Sequence, residues 1–111
     1  MDSAVFQLSE VAAERQETGR AYREFLRVPA LSAGLYVLPA GGTDPQKPHR
    51  EDEVYYVGAG RAKIHVAGED RPVMPGSVIY VEAGVDHRFH SIEEDLHVVV
   101  FWSPPRAEAT I

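Results

Sequence analysis

Turn-forming residues recur at intervals of about ten positions along this chain, and they limit it to short strands. Val28-Pro29, Pro39-Ala40-Gly41-Gly42, Asp44-Pro45, Gly58-Ala59-Gly60, Gly68-Glu69-Asp70, Pro75-Gly76, Ala83-Gly84-Val85-Asp86 and Pro104-Pro105 all read as turns, loops or strand ends. Proline denies a ladder its donor, and glycine permits a positive φ. The segments between them are apolar or alternating. Leu31–Leu38 (LSAGLYVL) reads as a strand. Arg61–Val66 alternates, with Ala62, Ile64 and Val66 on one face and Arg61, Lys63 and His65 on the other, as a half-buried strand does. Val78–Val81 is apolar on both faces, and Leu96–Trp102 (LHVVVFW) is the most apolar run of the chain. Ala21–Arg27, Glu53–Val57, His87–Ser91 and a short piece at Val5–Leu8 complete about eight to ten strands. One helix is expected, with Ser9 as its N-cap before EVAAERQE and Gly19 as its stop. The pattern predicts an antiparallel sandwich or barrel. The tail after Pro104-Pro105 is expected to fray.

At 111 residues the chain has room for one domain and one core. Its net charge of −6, with no basic run, argues against a nucleic-acid partner, because an acidic surface repels phosphate backbones. There is no cysteine, which excludes disulfides, thiolate zinc sites and a thiol nucleophile. The first residues, MDSAVFQLSEV, lack the basic and apolar regions of a secretory signal. No apolar run approaches the roughly 18 residues of a membrane-spanning helix. The expectation is a cytoplasmic protein with no membrane partner.

Candidate chemistry rests on the five histidines. His65 lies on the polar face of its strand and reads as a surface residue. His97 sits in the apolar last strand and reads as packed. His90 is out of phase with His87 and Phe89, so it points to the opposite face. His49 and His87 remain. On an extended segment His49 shares parity with Glu53, and Lys47, Glu51 and Tyr55 share it too. Two histidines and a carboxylate are good ligands for a divalent Fe, Mn, Ni or Zn ion. They form the set that non-haem iron oxygenases use while leaving positions open.

The glycines around these residues carry a resemblance. Gly41, Lys47, His49, Glu53 and Gly60 match the spacing G-x5-H-x-H-x3-E-x6-G, with Lys47 in place of the first histidine. Gly76, Glu82, Gly84, His87 and Ser91 match G-x5-P-x-G-x2-H-x3-N, with Glu82 for proline and Ser91 for asparagine. In these two motifs the chain resembles the cupin superfamily, in particular its small single-domain members. The resemblance implies an all-β double-stranded β-helix, the jelly-roll cupin barrel, preceded by a short N-terminal helix. It implies one cupin domain over 1–111, with an N-terminal segment at 1–20 and the barrel at 21–104. It implies a metal site in the barrel mouth made by His49, Glu53 and His87. Lys47 cannot take the fourth ligand position while protonated, since an ammonium has no lone pair. The site then holds an ion with three protein ligands, gains an oxygen from Glu51, or holds no ion and offers a polar pocket to an anion.

Two functions follow. One is a metal-dependent enzyme acting on a small organic molecule, with dioxygenase or isomerase/lyase chemistry. The other is a non-catalytic small-ligand-binding cupin without metal. The last strand carries apolar side chains on both faces, so one face needs a cover from the N-terminal segment, the second sheet or a partner chain. A homodimer is expected.

Overall fold

The computed structural model describes residues 2–107. The elements run α1 (Leu8–Thr18), β1 (Tyr22–Val28), β2 (Leu31–Leu38), β3 (Asp52–Val66), β4 (Glu69–Val73), β5 (Val78–Val81) and β6 (His87–Ser103). The strands form one antiparallel sheet in the order β1-β2-β6-β3-β4, with β5 paired to β3. It curls around a core of inward residues that includes Tyr36, Tyr55, Ile64, Phe89, Leu96, Val98, Val100 and Trp102.

Among the described residues six strands replace the eight to ten expected, because two pairs of expected strands fuse. Gly58-Ala59-Gly60 is not a tight turn. β3 passes through it and keeps pairing with β6, with register shifts at Val57/Ala59, Ala59/Arg61 and Arg61/Lys63. Each such bulge bends a strand without ending it. Gly60 has φ 93°, and a Cβ there would collide with the Asp95 carbonyl, so only glycine lets the partner strand come this close. Likewise His87–Ser91 and Leu96–Trp102 are the two ends of β6, and Ser91 takes a positive φ of 49° between them. The β3–β6 ribbon bends through these bulges and folds back, so that Glu53 at one end meets His87 at the other. Its first half pairs Asp52–Val57 with Val98–Ser103, and its second half pairs Arg61–Val66 with His87–Glu94. Glu69–Val73, read as a turn and its sequel, is a strand paired with the end of β3.

Residues 5–7 are not a strand. Phe6 stacks on Phe25 with ring centroids 5.1 Å apart, and the Glu10 and Val11 amides already donate to the Gln7 carbonyl. Gln7 is thus the N-cap, without a side-chain cap, and Ser9 lies inside the helix. Burial of Val11 against Leu35 and Val99 sets where the helix lies. Gly19 ends it as expected, at φ 71° with its amide on the Arg15 and Gln16 carbonyls. Helix α1 therefore covers part of the outer face of β2 and β6.

The segment after β6 is pinned as far as residue 107. The Arg106 amide donates to Ser32 Oγ at 2.8 Å, Arg27 Nη2 donates to the Arg106 carbonyl, and the Ala107 amide donates to the Glu51 carboxylate. These bonds hold it against the mouth of the roll, where a frayed tail was expected. The remainder of that tail lies outside the described residues.

Candidate metal centre

His49 comes from the loop before β3, Glu53 from the start of β3 and His87 from the first position of β6. Glu53 pairs with Val81 of β5 on one side and Trp102 of β6 on the other, so its side chain points into the roll. Its Oε1 lies 2.9 Å from His49 Nε2 and 2.8 Å from His87 Nε2, and the two Nε2 atoms are 3.2 Å apart. Among the described residues this is the group of histidine and carboxylate atoms positioned to hold a metal ion.

The far side of each ring defines what the near side offers. His87 Nδ1 faces the Val85 carbonyl at 2.9 Å, and His49 Nδ1 faces the Glu51 carbonyl at 3.1 Å. A carbonyl only accepts, so both Nδ1 atoms carry the hydrogen and donate it. In a neutral imidazole the Nε2 atom is then a bare lone pair. Two such lone pairs and a carboxylate oxygen meet at one point. Three acceptors at this spacing repel unless a cation sits among them. Ligands at right angles on an ion, each at about 2.1 Å, stand about 3.0 Å apart, so the donor set fits a divalent ion. The second Glu53 oxygen, Oε2, is buried and has no hydrogen-bond partner, which leaves acceptor capacity at the same place.

Without an ion the charges must come from protons. Burial pushes the Glu53 carboxyl up, but hydrogen bonds from His49 and His87 outweigh it, and the net shift is downward. Burial alone would lower His87, yet the Glu53 carboxylate and the Val85 carbonyl turn the net shift upward. Both shifts run toward the charged form of their group.

Around the cluster, Trp102 packs edge-on against His49 with centroids 4.9 Å apart. Tyr55 is fully buried, next to His87 and Phe89, and its hydroxyl donates to Gln46 Oε1 at 2.9 Å. Burial pushes this phenol well above its ordinary range, and the Glu53 charge adds to that. Gln46 is held in turn by Asp44. Asp44 is buried and accepts from the Tyr36 hydroxyl, the Gln46 amide and side chain, and the Phe89 amide. Sequence reading missed Asp44, because an Asp-Pro pair among glycines reads as a solvated loop. Only its four donors, from segments up to 45 residues away, show that it is buried.

The additional candidates fall in different places. Glu51 is buried but lies behind His49, with one carboxylate oxygen 3.6 Å from Nδ1 and another receiving the Ala107 amide. It is not among the three converging atoms. Lys47 is exposed and borders a cavity that His49 also lines. His65 and His90 sit together elsewhere, both against Asp70.

Comparison with known proteins agrees with this architecture. A protein of Streptomyces coelicolor described as uncharacterized is 55% identical over 102 residues, covering 92% of this chain and 97% of its own. A Bacillus halodurans protein of known structure superposes with a TM-score of 0.81 at 17% identity, covering 100% of this chain and 87% of its own. An RmlC-like cupin from Shewanella frigidimarina superposes with a TM-score of 0.70 at 22% identity, covering 79% and 77%. At such identities these two structures speak for the fold, the antiparallel jelly roll with its short N-terminal helix. The family model described as "Cupin domain" matches residues 34–104, which include both motifs and all three converging side chains, so this chain belongs to the cupin family.

Proposed function

We propose that this chain is a small metal-dependent cupin that binds one divalent ion through His49, Glu53 and His87 and acts on a small organic molecule. The observation that carries this reading is the convergence of two Nε2 lone pairs and Glu53 Oε1 on one buried point, with both Nδ1 hydrogens committed to carbonyls. Fe, Mn, Ni and Zn all accept this donor set. A bound ion with three protein ligands supplies Lewis-acid polarisation or oxygen activation at its remaining positions. The chain's own residues do the rest. The Glu51 and Val85 carbonyls hold the two rings in the ligand tautomer. Trp102 and Tyr55 exclude water around the cluster. Asp44 and Gln46 keep the Tyr55 hydroxyl oriented beside Glu53, so a protonated phenol faces the reacting centre. Dioxygenase and isomerase or lyase chemistry both suit such a site.

Protein prepared without an affinity tag and incubated with each metal should retain close to one ion per chain after dialysis, and His49→Ala should lose it. Substoichiometric metal in the parent, with no further loss in His49→Ala, overturns the reading. In that case the second reading stands: a metal-free cupin binding a small ligand, its cluster neutralised by protons. It is favoured by Lys47 at a ligand position.

We read residues 1–111 as one domain and place the protein in the cytoplasm. No described helix is long and apolar enough to cross a membrane. We also expect a homodimer. Val54, Tyr56, Val78, Tyr80 and Phe101 share the outer face of β3, β5 and β6, which α1 does not reach. A monomer mass by light scattering would remove that expectation.

A further inference from the structure

A cavity of about 480 Å³ opens beside His49 at the mouth of the roll, and two cations, Lys47 and Arg50, border it. Neither makes a hydrogen bond or ion pair with any described residue. In contrast, Arg23, Arg27 and Arg71 each pair with a nearby glutamate. Both cations border one concave surface in a chain with 17 acidic and 11 basic residues. Pro48, Pro104 and Pro105 supply apolar walls to the same cavity. His49 borders both this cavity and the three-atom cluster.

We infer that the molecule taken by this site is a carboxylate, held by Lys47 and Arg50 with its carbon skeleton against the prolines and next to His49. The assignment deepens the metal-centre reading and rests on it for the reacting centre. Arginine presents a planar fork matched to a carboxylate, and lysine adds a point charge. Glu51 also borders the cavity, so among the described residues two positive charges face one negative charge. The resulting balance suits a monoanion better than a phosphate dianion. Lys47 acquires a role in this arrangement: a side chain that cannot ligate a metal serves the charge of the ligand instead.

The test is calorimetric titration of the protein with benzoate and benzamide, with acetate and acetamide, and with inorganic phosphate. Each acid–amide pair keeps its shape and differs in charge. At least one carboxylate should bind at least tenfold more tightly than its amide. That preference should fall at least tenfold in Lys47→Gln/Arg50→Gln and in each single variant to a lesser degree, while Lys63→Gln on the outer face of β3 leaves it intact. No preference in either pair, a preference that survives the double variant, or phosphate binding more tightly than both carboxylates overturns the proposal. Metal content is measured on the same samples. Carboxylate preference without retained metal supports the docking site and removes the metal reading alone. Retained metal without the preference removes the docking site alone. Thermal melts confirm that the exposed substitutions leave the fold unchanged.

Discussion

Two clusters flank the β3–β6 ribbon, each with one carboxylate oxygen between two histidines. At the mouth, Glu53 Oε1 meets His49 and His87 at 2.9 and 2.8 Å. On the outer face, Asp70 Oδ1 meets His65 and His90 at 3.2 and 2.7 Å. They differ in burial and in what lies behind the rings. The Glu53 and His87 side chains are 0% exposed and His49 is 7% exposed, whereas Asp70 is 56% exposed. In the inner cluster both Nδ1 hydrogens go to carbonyls, so neutral rings aim lone pairs at the carboxylate. In the outer cluster His90 Nδ1 faces the Ser91 hydroxyl, which can donate to it, leaving Nε2–H for Asp70, and His65 donates from Nδ1. Neutral histidines satisfy the outer cluster with water nearby. The inner one requires a metal ion or an added proton among its three acceptors. The two clusters thus differ in the second atom of each ring and in burial, more than in residue type.

The largest test of this contrast exchanges the two carboxylates for amides. Glu53→Gln should weaken metal binding by more than about 100-fold, while Asp70→Asn leaves the bound metal unchanged by emission spectroscopy. Equal loss in both would erase the distinction. The next effect concerns the ribbon that separates the clusters. Gly60→Ala should destabilise the fold by about 2–4 kcal/mol in urea unfolding, from left-handed strain plus overpacking against Asp95. A stability within error of the parent would mean that the bulge is not what brings β3 against β6. A smaller effect is expected from Glu51→Gln. It removes a charge behind His49 and should lower metal affinity roughly tenfold, within the range for residues that orient a ligand. Affinity unchanged would leave only the Glu51 carbonyl in that role.

The smallest effect belongs to the outer cluster. Hydrogen bonding from His90, helped by His65, holds the Asp70 carboxyl below its ordinary range against an opposing desolvation. A carboxyl lowered in the folded state adds stability above its unfolded pKa, and that stability disappears as pH falls through the folded value. The melting temperature of the parent should therefore exceed that of Asp70→Asn slightly at pH 5, and the two should converge below the ordinary carboxylate pKa of about 3.9. A gap that persists or widens at pH 2 would contradict the assignment.

Much of this molecule can be read from local chemistry. The Gly/Pro punctuation and the alternation of Arg61–Val66 point to an antiparallel all-β fold because side chains in a strand repeat every two residues. His49, Glu53 and His87 stand out through their spacing from Gly41, Gly60 and Gly84. The same parity turns Tyr55 inward and Tyr56 outward, as the structure has them. The fused strands were hidden, because Gly58 and Gly60 carry the same signature in a turn and in a bulge. Pairing with β6 decides between the two. Asp44 was hidden for a similar reason, since its four donors come from a tyrosine, a glutamine and a distant strand that approach only in the closed roll.

Residue types and their order thus determined the strand-rich fold, the three converging side chains and the anomaly at Lys47, all of which depend on short-range spacing. Tertiary structure alone decided which ring nitrogens are bare, which cluster is dry, and where the lysine charge goes. Each of these depends on carbonyls, cavity walls and solvent brought together by contacts between distant parts of the chain, and no local pattern records them.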